Sequence, residues 1–234
     1  MAELILLDET PSTNDAAKEL ARSGAAHGTA VLAARQSAGR GRMSHSFCSP
    51  EGGLYLSVVL RPNLPPELLP LCTPLAAVAV CRALAKEAGV ECRIKWVNDL
   101  LLQGKKLCGI LCEGVSGAVI CGIGVNLREP FNGFPSEVRD LIAVLPAAVD
   151  RIVLARAILR ELLDLCAVLP DTEFLNEYRE RSAVLGRTVT VRDPAGNFDA
   201  RALAIDDLGG LVLSLPGGRL RTLRAGEISI KLKE

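Results

Sequence analysis

The sequence predicts an α/β protein that ends in a small all-β domain, and three observations lead to this fold class. The chain has 234 residues, 49% of them hydrophobic, which suffices for one large domain and a small one. Strand and helix patterns alternate up to about residue 182. After that point, five short strand patterns follow within about 50 residues, as in a small β-barrel. We therefore expect a first domain at residues 1–182 and a second at residues 183–234.

Short apolar runs bounded by glycine, proline or polar turns predict the strands of the first domain. These runs lie at residues 3–7, 29–34, 54–60, 93–97, 100–102, 106–112 and 118–125. The runs at residues 100–102 and 106–112 are joined by Gln103-Gly104-Lys105, which is typical of a hairpin turn.

Helices are predicted where apolar residues recur at helical spacing after a capping residue. Ser12 caps a first helix that runs to Gly24, and Thr73-Pro74 starts a second that stops at Gly89. Two more helices are expected at residues 150–169 and 172–181.

The C-terminal strands are predicted from short β-rich runs separated by Asp, Pro and Gly turns. They lie at residues 187–191, 199–205, 210–215, 219–223 and 228–232, with one of the turns at residues 193–197.

Charge and cysteine content exclude several classes. Lys plus Arg and Asp plus Glu both number 27, so the chain is a poor candidate for general duplex binding, which neutralises many phosphates. Neither an export signal nor a membrane segment is recognisable, since the apolar stretch at residues 68–81 is interrupted by prolines and Thr73. The eight cysteines include no C-x-x-C pair and the chain has two histidines, which disfavours a zinc site. Several cysteines lie in apolar runs, so we expect a cytoplasmic protein with reduced thiols.

The loop at residues 36–46 is the first candidate for chemistry. Gly39-Arg40-Gly41-Arg42 alternates backbone freedom with fixed positive charge, and guanidinium groups bind carboxylates and phosphates well. A solvated basic loop explains the same pattern equally well.

Two further segments place polar residues in or beside strands. Lys95 lies in an otherwise apolar strand, just before Asn98 and Asp99, and Lys106 starts the strand that contains Gly109. Taken separately, these are also compatible with an exposed strand edge, a turn and a hairpin tip.

Gly122 and Gly124 weaken a strand interior, which indicates either a bulge or a group packed against the backbone. Asn126 follows directly. The pattern is not a dinucleotide fingerprint, because no third glycine opens a helix, and the chain contains no P-loop sequence.

Taken in order, these segments resemble the biotin–protein ligase family. The motifs that carry the resemblance are Ser12-Thr13-Asn14 and the sequences at residues 36–42 (QSAGRGR), 95–99 (KWVND), 105–111 (KKLCGIL) and 122–126 (GIGVN). The C-terminal strands, with Gly226-Glu227 near their end, resemble the family's SH3-like domain. The resemblance covers nearly the whole chain.

The resemblance implies a class II synthetase-like catalytic domain, with a mixed sheet flanked by helices, and a two-step reaction. Biotin is adenylated with ATP and Mg²⁺ to biotinyl-5′-AMP, and a lysine of a biotin carboxyl carrier protein then takes the biotinyl group. Such a carrier is a subunit of acetyl-CoA carboxylase or of another biotin-dependent carboxylase. The resemblance also implies a homodimer formed through the catalytic sheet.

The resemblance further implies roles for individual residues. We expect Lys106, Arg42 and Lys95 to be catalytic. Biotin is expected to bind Ser12, Thr13, Asn14, Gln36, Arg40, Gly41, Arg42, Lys106, Gly109, Gly122 and Gly124. The nucleotide is expected to bind Arg40, Arg42, Lys95, Asn98, Asp99 and Asn126. We assign no metal ligands. The glycine loop is expected to close over the intermediate and exclude water.

The sequence departs from the family pattern at two places. After Arg42 the loop continues as Met43-Ser44-His45, with fewer charges than usual, and Val97 replaces a common proline. Repressor-type members have a DNA-binding segment before the catalytic domain. This chain begins with the catalytic strand, so we expect a monofunctional ligase that binds no DNA.

Other functions remain open at this level. A lipoate or octanoate ligase or transferase shares the catalytic fold, and a non-catalytic biotin sensor or carrier-binding module is a further alternative. The arginines at 219, 221 and 224 would suit nucleic acid, although the alternate spacing of the first two also marks the solvent face of a strand.

Overall fold

A computed structural model describes residues 3–127, 134–192 and 196–230. Every predicted strand and helix has a counterpart in it, with ends that differ by a few residues. The predicted turn at residues 193–197 lies partly outside the described residues.

A seven-stranded mixed sheet forms the centre of the first domain. Its strands are β1 (Leu4–Thr10), β2 (Ala30–Gln36), β3 (Leu54–Leu60), β4 (Arg93–Lys95), β5 (Asp99–Leu102), β6 (Lys105–Val115) and β7 (Ala118–Val125). The order across the sheet is β1-β2-β3-β7-β6-β5-β4. β1 and β2 are parallel, and the other neighbours are antiparallel. The α/β class with a mixed sheet is thereby confirmed.

The strand predicted at residues 93–97 is shorter in the structure. β4 ends at Lys95, because the chain must turn before β5 pairs back on it, with Lys95 opposite Asp99. Residues 96–98 form this turn, so they lie at the end of β4 and not within the strand.

Helices cover both faces of this sheet. They are α1 (Thr13–Arg22), α2 (Cys72–Ala88), α3 (Ser136–Arg139), α4 (Arg151–Ala167) and α5 (Phe174–Glu180). Ser12 caps α1, Asp150 caps α4, and Gly89 ends α2 in a left-handed conformation, as their residue types predict. The short α3 is not predicted by the sequence pattern.

Successive side chains of the central strands pack on opposite faces of the sheet. Val58 packs with α2 and α4 in the main core, whereas its neighbour Val59 packs with Ala17 and Ala21 of α1. This alternation places α1 against the second face. The space beside α1 on that face is therefore open for a binding site.

Within the described residues, one helical stretch, Pro66–Ala88, is long and apolar enough to cross a membrane. In the most apolar part of this stretch, 67% is buried inside the protein. The stretch contains α2, which is the core helix of the first domain.

The C-terminal strands form a separate five-stranded antiparallel sheet, as predicted. They are β8 (Thr188–Arg192), β9 (Phe198–Ile205), β10 (Leu211–Ser214), β11 (Leu220–Leu223) and β12 (Glu227–Ile230), in the order β11-β10-β9-β8-β12. Trp96 donates to the Gly209 carbonyl at 3.0 Å, and Arg179 donates to the Ile205 carbonyl at 2.8 Å. These bonds fasten the second sheet to the first domain.

Candidate active site

A cavity of about 360 Å³ opens on the α1 face of the large sheet. Its floor is the centre of β6 and β7, and its walls are the start of α1, the loop after β2, the β4–β5 turn and the start of β12. The first domain and the C-terminal sheet therefore both contribute to one site.

One side of the cavity, which we call the α1 end, consists of Ser12, Thr13, Asn14 and Gln36, with the buried Ser57 behind them. The backbone N–H and the hydroxyl of Thr13 both donate to Gln36 Oε1, at 2.8 and 3.0 Å. Ser57 donates to Asn14 Oδ1 at 2.6 Å and lies 2.8 Å from Thr13 Oγ1. These groups are neutral, and the threonine and both serines are buried, so the α1 end suits a neutral ligand with amide-like donors and acceptors.

Glycines form the cavity floor because other side chains would not fit there. A Cβ atom on Gly122 would lie 2.0 Å from Asn14 Oδ1, and one on Gly124 would lie 2.4 Å from the Phe47 ring. At Gly109 the distance to that ring would be 2.9 Å. Phe47 also packs edge-on against Tyr55, with 6.5 Å between ring centroids.

The opposite side, which we call the basic end, consists of Arg42, Lys95, Asn98, Asp99 and Lys106. Lys106 Nζ lies 2.7 Å from Asp99 Oδ1. Arg42 Nη1 lies 3.4 Å from Asn98 Oδ1. Lys95 lines the cavity, and no partner for its ammonium group is found among the described residues. Three cations thus face one space, which suits a ligand with several negative charges.

The C-terminal sheet closes the basic end. Arg42 donates to the Gly226 carbonyl at 3.2 Å, and His45 Nε2 lies 3.6 Å from a Glu227 oxygen. Burial lowers the pKa of Arg42, against the opposing effect of the Asp99 charge, yet a guanidinium remains protonated at neutral pH. The loop after β2 is therefore held at both of its arginines, since Arg40 is also paired.

Arg40 pairs with two carboxylates, Asp15 at 2.6 Å and Glu113 at 3.1 Å. Glu113 also accepts from Lys18 and from the Asn14 amide, both at 2.7 Å. Burial by itself raises the pKa of Glu113, but the hydrogen bonds from Lys18 and Asn14 and the nearby positive charges outweigh burial and lower it.

The structure brings almost the whole predicted site together. The predicted residues that line this cavity are Ser12, Thr13, Asn14, Gln36, Arg40, Gly41, Arg42, Lys95, Asn98, Asp99, Lys106, Gly109, Gly122 and Gly124.

Asn126 requires a correction. The sequence analysis expects it near the nucleotide, but its side chain is buried and is not part of the cavity wall. Its amide donates to the carbonyls of Lys106 and Ala143, at 3.2 and 3.1 Å. Asn126 therefore supports the backbone of Lys106 from behind.

Sequence reasoning missed several residues at the site. Phe47 and Tyr55 line the cavity, and Glu113 joins three polar side chains beside it. Tyr55 lies in an apolar strand, and Glu113 lies in β6 just after its apolar run, so neither stands out by pattern. Gly226 and Glu227, noted above as part of a C-terminal motif, prove to belong to the cavity wall.

The cavity on this mixed sheet has neutral polar groups at one end and three cations at the other, and this arrangement suits one class of proteins. This class comprises the ligases that activate a small acid with a nucleotide, because such enzymes must hold a polar head group and screen a carboxylate from polyphosphate.

Comparisons with known proteins narrow this class. The model of the biotin/lipoate A/B protein ligase family matches residues 6–128, and the model of the biotin protein ligase C-terminal domain matches residues 184–231. The bifunctional ligase/repressor BirA of Bacillus subtilis is 36% identical over 92% of this chain and 70% of its own length. The biotin–[acetyl-CoA-carboxylase] ligase of Mycobacterium tuberculosis is 32% identical over 97% of this chain and 88% of its own.

A biotin protein ligase from Aquifex aeolicus, solved in complex with biotin and ATP, superposes with a TM-score of 0.86 at 28% identity. The superposition covers 100% of both chains. The chain therefore belongs to the biotin protein ligases of the biotin/lipoate ligase family, and is an enzyme. These relatives support biotin and do not support the lipoate alternative.

Proposed function

We propose that this cavity carries both half-reactions of biotin–protein ligation, with the biotin head group at the α1 end and the nucleotide at the basic end. The observation that carries the proposal is that the two ends of the cavity differ in charge. Neutral hydrogen-bonding groups are concentrated at one end, and Arg42, Lys95 and Lys106 at the other.

In the first half-reaction, a biotin carboxylate oxygen attacks the α-phosphorus of ATP. The bond between that phosphorus and the oxygen bridging to the β-phosphate breaks, and pyrophosphate leaves with its electrons. The carboxylate and the polyphosphate repel each other, so the reaction needs positive charge between them. Lys106 supplies it at the carboxylate, and Arg42 and Lys95 supply it at the phosphates.

In the second half-reaction, the ε-amino group of an acceptor lysine attacks the acyl carbon of biotinyl-AMP. The acyl–phosphate bond breaks, AMP leaves, and the nitrogen loses a proton. No nucleophile of the enzyme is needed. The loop after β2 protects the anhydride from water until the acceptor arrives.

Biotin at the α1 end is supported by the pairing of donors and acceptors. A ureido ring presents one carbonyl acceptor and two N–H donors, and Ser12, Thr13 and Gln36 provide hydroxyl and amide groups of both kinds. The floor at Gly109 and Gly124, with the Phe47 ring above it, suits the apolar part of the ligand.

We infer that Mg²⁺ enters with ATP. Mg²⁺ is usually held by one or two protein carboxylates together with substrate phosphates and water. Asp99 and Glu227 bring two carboxylates to the wall of this cavity, but each pairs with a protein cation, Lys106 and Arg192, so we assign neither as a ligand of the ion. When bound, the ion neutralises part of the phosphate charge.

The acceptor is a biotin-carrier protein. We propose that it is a biotin carboxyl carrier protein, such as the acetyl-CoA carboxylase subunit, and that the reaction takes place in the cytoplasm. The thiols of Cys72, Cys81, Cys92, Cys108, Cys112, Cys121 and Cys166 are free, as a reducing compartment requires. The two in the site strands, Cys108 and Cys112, pack against the core.

We further propose a homodimer formed through the large sheet. Its support is β1, an edge strand whose outer backbone groups have no neighbouring strand in the described part of the sheet and which exposes Leu6. Sedimentation equilibrium tests it, and a monomer at all concentrations would exclude it.

The function is tested by incubating the purified protein with MgATP and biotin, lipoate or octanoate, and detecting the acyl-adenylate by mass spectrometry. We expect an adenylate with biotin and pyrophosphate release in step with it. An adenylate with lipoate or octanoate and none with biotin would contradict the proposal, and binding without pyrophosphate release would indicate a non-catalytic sensor.

A further inference from the structure

Glu113 connects three parts of the molecule at the border of the active site. It lies on β6, and its carboxylate accepts from Asn14 and Lys18 at 2.7 Å and from Arg40 at 3.1 Å. Asn14 and Lys18 belong to α1, whereas Arg40 belongs to the loop after β2. The Glu113 side chain is 25% exposed and its bonds to Asn14 and Lys18 are partly shielded from water, whereas Arg40 is 40% exposed.

Two of these partners contact the cavity directly. Asn14 Oδ1 touches the backbone of the floor at Gly122 and accepts from Ser57. Arg40 stands between Gly39 and Gly41, so the ion pairs of its side chain anchor the glycine loop to α1 and β6 at this point. The Glu113 carboxylate therefore joins the floor of the cavity to the loop that forms one of its walls.

The charge of Arg40 is already neutralised by protein groups. Its guanidinium pairs with Asp15 and Glu113, whereas Arg42 contacts the neutral oxygens of Asn98 and Gly226. A phosphate would have to compete with two carboxylates for Arg40. The two arginines of the loop thus have different environments, and only Arg42 is free of an ion pair within the described residues.

We propose that Glu113 is a positioning residue that holds the glycine loop closed through Arg40, and that the Arg40 side chain serves as a tether rather than as a phosphate ligand. This inference rests on the proposed function and refines the role of the loop in it. The Arg40 side chain is 40% exposed, so the tether depends on two charge-assisted hydrogen bonds made at the same time, to Asp15 and to Glu113. The lowered pKa of Glu113 keeps its carboxylate ionised at neutral pH.

The test uses Glu113→Gln, which keeps the size of the side chain and removes its charge. We expect the release of biotinyl-AMP from the enzyme to become roughly tenfold faster, because a hydrogen bond to a charged partner is weakened. We expect the KM for biotin to rise, while kcat for pyrophosphate exchange at saturating substrates changes less than twofold.

A matched control separates positioning from simple loss of stability. Glu177 is 22% exposed and accepts from Arg82 and Arg181, each at 2.8 Å, but it lies on α5, away from the cavity. Glu177→Gln should lower the melting temperature and leave both biotinyl-AMP release and KM unchanged. If it accelerates release as much as Glu113→Gln does, the inference is overturned.

A double-mutant cycle with Arg40→Gln tests the tether itself. If Glu113 acts through Arg40, Arg40→Gln alone accelerates release, and Glu113→Gln adds nothing further to it. Fully additive effects of the two substitutions on biotinyl-AMP release would overturn the tether. A loss of kcat in Arg40→Gln would also overturn it, because it would show that Arg40 acts on the phosphates of ATP. Should Glu113→Gln fail to fold, release from Arg40→Gln compared with wild type still decides the question.

The inference and the proposed function fail in different ways. Absence of biotin-dependent pyrophosphate exchange in the wild type contradicts the proposed function. An active wild type whose biotinyl-AMP release is unaffected by Glu113→Gln contradicts only the role of Glu113.

Discussion

The two ends of the cavity are built differently. At the α1 end, Thr13 and Asn14 are 3% and 5% exposed, and their polar groups are bonded to neighbouring protein groups. At the basic end, the Lys106 side chain is 36% exposed, pairs with Asp99 and lies 5.7 Å from the centroid of the Phe47 ring. The polar groups of the first end are positioned by bonds to one another and still line the cavity, whereas the second end is a group of cations that have fewer protein partners.

This difference matches the two tasks of the proposed reaction. A buried network of hydrogen-bonded groups is rigid, and its remaining donors and acceptors select a ligand by shape and hydrogen bonds. A partly solvated group of cations is better suited to phosphates that arrive, react and leave. We therefore expect substitutions at the two ends to affect different kinetic constants.

The largest effect is expected for Lys106→Ala. Removal of one donor that stabilises developing charge costs at least ~10²-fold in rate, so biotin-dependent ATP–pyrophosphate exchange should fall by that factor. Lys105→Ala, at the exposed hairpin tip next to it, is the control and should remain active. An unchanged exchange rate in Lys106→Ala would remove Lys106 from the mechanism and abolish the distinction between the ends.

Arg42→Ala should have the next largest effect. Arg42 holds the loop against Asn98 and Gly226 and lines the end of the cavity proposed to bind the phosphates. Its loss should slow adenylation and accelerate biotinyl-AMP release about tenfold, measured by stopped-flow or filter binding. A variant that retains the intermediate as tightly as the wild type would show that the loop is closed by other contacts.

Gln36→Ala sharpens the comparison from the α1 end. Loss of the Gln36 oxygen leaves the Thr13 N–H and hydroxyl without their partner, and the KM for biotin should rise about fivefold. The rate at saturating biotin should stay close to wild type. If Gln36→Ala instead lowers kcat and leaves KM unchanged, the α1 end is not a recognition site.

The smallest effect concerns His27, which lies outside both ends and provides a baseline for pH studies. Its Nδ1 accepts from the Arg61 N–H at 2.9 Å, and burial together with the Arg61 charge lowers the pKa of this imidazole below 6.5. The unfolded chain therefore binds the proton more readily, so this contribution is complete above about pH 6.5 and is lost as the pH falls below it.

Urea unfolding at pH 7.5 and 5.5 measures this contribution. His27→Asn keeps an acceptor that does not titrate, and its stability should depend less on pH than that of the wild type. An identical pH dependence in both proteins would show that His27 does not contribute.

Most of the fold follows from local sequence signals. Ser12, Asp150 and Gly89 occupy the cap positions that their residue types favour, and the apolar run of β7 coincides with the predicted strand from Ala118 to Val125. The strand ends are less certain, because pairing decides them. β4 stops at Lys95 where the chain turns back to form β5.

The sequence predicts those site residues whose type is unusual for their position. A lysine in an apolar strand or two glycines in a buried one are unusual in sequence, and the structure brings them together. The hydrogen bonds of the Asn126 side chain depend on the tertiary fold, which brings two backbone carbonyls next to its amide. The convergence of Asn14, Lys18 and Arg40 on Glu113 joins positions far apart in the chain, and no local pattern reveals it.

The orientation of the ligand in the cavity is the central claim, and a crystal structure with a non-hydrolysable biotinyl-AMP analogue tests it most directly. We predict that the ureido ring contacts Thr13 and Gln36, and that the phosphate analogue contacts Arg42 and Lys106. A ureido ring bound beside Lys106, or a phosphate analogue bound beside Gln36, would contradict this account.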